Sequence, residues 1–209
     1  MSINLNKNAS INLSKEVPSG LSKIVLGVGW DTAQAQPPAK TGGFLGGLFG
    51  GSAPAAAPVS SIDLDASAIL FSADGVAVDT VFFRQLKSRD GSVVHTGDNL
   101  TGEGDGDDEK IKVNLSSLPA SVAHIVFTVS SFRGQTFSQI ANAFCRVVDE
   151  TTGKELVRTN LSDQGGHTAV ILARLSREQS GEFHFKSLLV KTNGKTAQEL
   201  ASEAGGCLS

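Results

Sequence analysis

Lys110-Ile-Lys-Val-Asn-Leu115 alternates polar and apolar side chains at every step. Successive side chains leave a pleated backbone on opposite sides, so a period of two marks a strand with one face on a core. A helix would place its apolar residues three and four apart. Similar short runs, often β-branched, recur at residues 23–30, 63–71, 76–83, 124–130, 143–149, 168–176 and 182–189. Asp74-Gly75, Asp90-Gly91 and Thr152-Gly153 punctuate them with residues that tolerate the positive φ of hairpin turns. Many short strands at this spacing predict an all-β fold, an antiparallel β-sandwich. Helix is expected only in short pieces: a turn or two at residues 135–141, and a C-terminal helix from Ala197. There Thr196 and Glu199 have the spacing of a capping box. No repeat and no second core is evident, so residues 1–209 read as a single domain.

Composition narrows the function classes. The 209 residues are 40% hydrophobic, which suits a soluble domain with a sizeable core. Lys and Arg number 18 against 21 Asp and Glu, a formal charge of −3, so there is no basic field for nucleic acid and none is expected as a partner. Cys145 and Cys207 lie far apart and form no CxxC, which excludes a disulfide framework and a thiolate zinc site and fits a reducing cytoplasm. Met1-Ser-Ile-Asn-Leu-Asn-Lys7 has no charged-then-apolar leader pattern, and no run reaches the roughly 20 apolar residues of a membrane helix. Residues 34–60 turn to low complexity, with four of the six prolines (Pro37, Pro38, Pro54, Pro58), and read as a flexible insertion. Within it, Phe44, Leu45, Leu48 and Phe49 either fold back locally or meet a partner or a membrane surface.

The strongest chemical signal is Asp98-Asn-Leu-Thr-Gly-Glu-Gly-Asp-Gly-Asp-Asp-Glu109, which carries six carboxylates and no cation. Taking these six from the formal −3 leaves the rest of the chain at +3. Such a run repels itself, and a hard divalent cation would neutralise it. Ca²⁺ takes about 6–8 oxygen ligands from carboxylates, amides and main-chain carbonyls, all present here, and the interspersed glycines let carbonyls turn inward. The EF-hand pattern fails: Leu100 and Gly102 occupy the third and fifth positions, Glu103 replaces the glycine of the sharp turn, and the flanks are strand-like. The reading is a calcium loop on a β scaffold, against the plainer alternative of a solvated acidic loop. Asp63 and Asp65 fall on one face of their strand, opposite Ile62 and Leu64, and Asp31 ends the run Gly27-Val-Gly-Trp-Asp31. Joint placement beside the acidic loop would make all three ligands.

These stretches resemble the TerD family of bacterial tellurium-resistance and stress proteins. The resemblance rests on Gly27-Val-Gly-Trp-Asp31, Ile62-Asp-Leu-Asp-Ala-Ser67 and the run from Thr96 to Glu109. Gly46-Gly-Leu-Phe-Gly50, Ser131-Phe-Arg-Gly-Gln135 and Asn142-Ala-Phe-Cys-Arg-Val-Val-Asp149 make it most like the TerZ branch. It spans nearly the whole chain. The resemblance implies a calcium-binding β-sandwich, a cytoplasmic setting, a part in resistance to tellurite and other stresses, and more than one bound ion. It carries the metal-binding role to Asp31, Asp63, Asp65, Asp98, Asn99, Asp105, Asp107, Asp108 and Glu109.

Two function classes then compete. The carboxylates could hold a divalent metal for phosphoester hydrolysis, but His95, His124, His167 and His184 are scattered, and no GxSxG, P-loop or HExxH is present. Cys145 alternates with apolar neighbours and reads as a small buried hydrophobe. The favoured class is a binding module whose ion shapes loops for a protein partner, with a membrane surface as the other candidate contact. Arg133 is either an anion contact or one half of a salt bridge.

Overall fold

The computed structural model describes residues 2–32, 62–97, 106–161 and 165–208. Its strands form two six-stranded sheets packed face to face. One sheet runs β1 (Ile3–Asn4), β10 (Glu155–Asn160), β9 (Ile140–Asp149), β3 (Lys23–Thr32), β7 (Glu109–Asn114), β6 (Val93–His95). The other runs β2 (Ser10–Asn12), β12 (Phe183–Thr192), β11 (Ala169–Arg177), β8 (His124–Ser130), β4 (Asp65–Phe71), β5 (Ala77–Val81). The expected antiparallel sandwich is therefore observed, with one parallel pair, β1 beside β10, among the described ladders. Gly75, Gly91 and Gly153 all take positive φ in their turns (79°, 80° and 71°), as the hairpin chemistry requires.

Between the sheets, alternate residues interlock. Ile24, Leu26, Val28 and Trp30 of β3 meet Ala66, Ala68 and Leu70 of β4, with Ile111, Val113, Ile125 and Phe127 completing the layer. Leu5, Leu13 and Val17 close one side. The first strands do this by pairing β1 with β10 and β2 with β12, while Leu5 to Ala9 cross from one sheet to the other. Short helix α1 (Leu13–Glu16) follows, with the Asn12 side chain accepting from the Lys15 N–H at 3.2 Å. β1, β2, α1 and β10 have no signal in the period-two pattern: the first three are too short for one, and β10 follows a hairpin in which polar residues outnumber apolar ones.

The second departure is on the outer face of the β4 sheet. Helix α2 (Ala197–Gly206) lies over Ile69, Phe71, Val126, Ile171 and Leu188, and buries its own Ala197 and Ala204 there. This satellite cluster is a second core where the sequence showed none. It explains why β4 is buried along its entire length instead of on alternate positions. Thr196 caps α2 by accepting the Glu199 N–H at 3.3 Å, and the Glu199 carboxylate reaches back to the Lys195 N–H at 2.9 Å. The reach-back bond thus falls one residue beyond the cap whose N–H the expected reciprocal box would bind. The turn expected at 135–141 is a single 3-10 turn, Phe137–Gln139. The insertion at 34–60 lies outside the described residues.

Phe71→Ala should cost about 3–5 kcal/mol by emptying the cluster under α2, and Thr196→Ala about 1 kcal/mol through the lost cap. Urea unfolding of the two variants checks both, and a Phe71 variant as stable as the parent would show that α2 does not seal a core.

Candidate functional site

Strand β3 explains its own glycines. Its inward positions are Leu26, Val28 and Trp30, so Gly27 and Gly29 face outward. A Cβ on Gly27 would collide with the Asp107 carboxylate, and one on Gly29 would collide with the Gly106 carbonyl and the Phe144 ring. The end of the acidic segment thus lies directly on bare β3 backbone. Beyond the β7 pairing, the Asp108 N–H donates to the Val28 carbonyl at 2.8 Å, and the Trp30 N–H donates to Asp108 Oδ2 at 2.8 Å. A bulge between Gly29 and Asp31 in the β3–β9 ladder accompanies this geometry. The Trp30 indole N–H donates to the Ile62 carbonyl at 3.1 Å, tying the end of β3 to the lead-in of β4.

Asp107 is held by Arg146 of β9 through two bonds, Nε to Oδ1 at 2.7 Å and the second guanidinium nitrogen to Oδ2 at 3.0 Å. This forked pairing is the strong form of a carboxylate contact. Arg146 also reaches Glu155 at 3.2 Å; Arg158 binds the same carboxylate at 2.9 Å and stacks over Phe144, 4.3 Å from the ring centroid. The Arg158 bonds, with help from Arg146, hold the Glu155 carboxyl down at about 2.

Glu109 points the other way, into the sandwich, and is 1% exposed. Its Oε2 accepts the Ala66 N–H of β4 at 2.6 Å and lies 3.2 Å from His95 Nε2. His95 Nδ1 accepts the Gly97 N–H at 3.2 Å, which leaves Nε2 as the ring nitrogen that donates to Glu109.

The remaining sequence-predicted ligands fall into two groups. Asp31, Asp107 and Asp108 crowd the end of β3: burial first, then the charges of Asp31 and Asp107, push the Asp108 carboxyl up, against the pull of the Trp30 N–H. Asn142, itself at φ 51°, donates to Asp31 Oδ2 at 2.8 Å. At the lead-in to β4, Asp63 and Asp65 are both buried. Arg133 reaches Asp63 at 3.1 Å, so the salt-bridge reading of this arginine is the one observed, and the Asp63 N–H donates to Gln135 Oε1 at 3.2 Å. Asp98, Asn99 and Asp105 lie outside the described residues. Among the described residues, no three His, Cys, Asp or Glu side chains converge into a group that could hold a metal ion. Sequence reasoning missed Arg146, whose role depends on β9 lying beside β3; its only signal was a lone cation in the apolar run 143–149.

Other polar candidates serve elsewhere. His124 faces Ser176 at 2.9 Å, and burial lowers its pKa. Cys145 is buried and its thiol is pushed up to about 12, so it is no thiolate at neutral pH. No helix among the described residues is long and apolar enough to cross a membrane.

Comparison with known proteins agrees with this architecture. The family described as the TerD domain matches residues 1–202. The tellurium resistance protein TerZ of Serratia marcescens is 50% identical over 96% of this chain and 96% of its own. General stress protein 16U of Bacillus subtilis is 40% identical over 90% of each. A crystal structure of a homologue of telluride resistance protein from Streptomyces coelicolor superposes with a TM-score of 0.67 at 22% identity, covering 89% of this chain and 98% of that one, and so shares the fold.

Gly27→Ala should displace Asp107 from Arg146 and cost about 1–3 kcal/mol, read as a drop in the urea midpoint. Glu155→Gln tests the arginine network by pH. A carboxyl held at about 2 in the fold contributes stability above its ordinary 4.5 and loses it as pH falls toward 2. The variant should therefore be less stable than the parent at neutral pH, with the gap closing through that acidic window; a gap independent of pH would remove Glu155 from the charge network.

Proposed function

The chain belongs to the TerD family, and on that premise we propose that it is a cytoplasmic calcium-binding β-sandwich module of tellurite and stress resistance. The ion organises the acidic end of the sandwich for contact with a protein partner. The observation that carries the reading is the crowding of Asp31, Asp107 and Asp108 at the end of β3, where burial and like charge work against ionisation of Asp108, at one end of a segment with further carboxylates at Asp98, Glu103 and Asp105. Two carboxylates at this end already hold an arginine, Asp63 with Arg133 and Asp107 with Arg146. Positive charge is what this end of the fold requires.

The donor set suits a hard cation, since it offers oxygen and no thiolate. Asp63 and Asp107, each paired with an arginine, and Glu109, bonded to Ala66 and His95, anchor the elements around the site. Asp31, Asp65 and Asp108, with Asp98, Asn99 and Asp105, are the residues that would hold Ca²⁺, in more than one site. The bound ion would supply charge neutralisation, which lets the segment adopt one shape for a partner to read. The relatives' names, a tellurium resistance protein and a general stress protein, support the cellular role.

Calcium titrated into chelator-stripped protein should give a saturating heat and raise the melting temperature. An ion that binds only the folded state adds about 2.7 kcal/mol at a hundred times its Kd. Mg²⁺ should compete poorly, because it keeps its waters and a tight octahedron. Asp108→Asn and Asp65→Asn should each weaken Ca²⁺ binding while leaving the ion-free fold intact. Absence of any Ca²⁺ heat together with an unchanged melting temperature would reject the proposal.

A further inference from the structure

On the β10–β12 side of the sandwich, a cavity of about 100 Å³ opens beside Asn160, whose strand pairs through Phe144 with Gly29 near the acidic end of β3. Among the described residues, Leu161, Val170 and Leu189 form its apolar part, His167 one wall, and Lys7, Asn160 and Lys191 its polar part. Its construction is unusual in three respects. The His167 ring is stacked on Phe137, with centroids 4.7 Å apart and planes 18° apart, which fixes the wall. Leu189 sits at φ 49°, a left-handed conformation that a branched side chain adopts at a cost. It does so where the β11–β12 register shifts, Ile171 opposing Val190 but Ala173 opposing Ser187, so that β12 carries an extra residue. Leu188 joins the cluster under α2, whereas Leu189 packs against the main core and lines the cavity. Bulges re-aim side chains in this way beside binding sites.

From this geometry we propose that the cavity is a binding site for a small organic carboxylate, its hydrocarbon against Leu161, Val170 and Leu189 and its charge toward Lys7 and the Asn160 amide. An apolar cavity of about 150 Å³ holds benzene, so this one suits a body of about four or five non-hydrogen atoms. Inorganic phosphate carries no apolar part, and placing it against three aliphatic side chains would strip water from a dianion without return. Lys7 comes from the segment that crosses between β1 and β2, so the ligand would also bridge that segment to β12. None of its described lining residues is among those that would hold Ca²⁺.

Butyrate is the probe, titrated at millimolar concentration into the chelator-treated full chain with ¹³C-labelled methyl groups. The expected result is a saturable shift of the Val170, Leu161 and Leu189 methyls. Lys7→Met, at an exposed position, should weaken binding by about fivefold at low salt, an effect that shrinks as salt screens the charge, and Lys7→Arg should restore it. No methyl shift, parental affinity in the Lys7→Met variant, or equal shifts with inorganic phosphate would each overturn the proposal.

Discussion

A buried carboxylate between two sheets holds this sandwich in register at its acidic end. Glu109 is the first residue of β7, yet its acceptor atom serves the Ala66 N–H of the opposite sheet and the His95 ring. A carboxyl group without donors there would be costly, and the Ala66 N–H and the His95 ring supply them, His95 being itself oriented by the Gly97 N–H. The same residue ends the acidic segment. The described end of that segment is therefore set from the core outward, with Glu109 inside, Asp108 on the β3 backbone and Asp107 on Arg146.

Much of the fold was readable because strands of six or more residues, β10 excepted, carry enough alternation to be distinctive; 124–130 coincides with β8, and the glycine turns take the φ values their residue types demanded. What escaped was short or depended on tertiary contact. β1 and β2 have two and three residues and exist only because β10 and β12 offer edges. The buried outer face of β4 could not be inferred from β4 itself, because the covering helix lies more than 120 residues later in the chain.

The acidic end was legible as chemistry but not as geometry. The acidic run, a strand end, strand alternation and the family resemblance pointed to Asp31, Asp63, Asp65, Asp107, Asp108 and Glu109, yet Asp63 and Asp107 are held by arginines, Asp108 by a main-chain N–H and Asp31 by the Asn142 amide, while Glu109 is turned into the core. Side-chain direction decides that division, and it follows from parity along β7 and from the bulge in β3, neither of which a residue pattern specifies. The glycines of Gly27-Val-Gly-Trp-Asp31 have a steric meaning, clearance for Asp107, Gly106 and Phe144, that becomes visible only once β3 and the segment lie together.

The crossing of the first dozen residues from β10 to β12 has a consequence for how the protein behaves among copies of itself. Both sheets end on that side in long strands, and the two short pieces β1 and β2 occupy their outer hydrogen-bonding rows. Detachment of this segment would bare two ladders simultaneously on a single flank, each ready to template strand addition from another molecule. Fraying of a few N-terminal residues would thus lead to self-association well before it led to unfolding, and colloidal behaviour would report on the state of that segment more sensitively than any spectroscopic measure of the core.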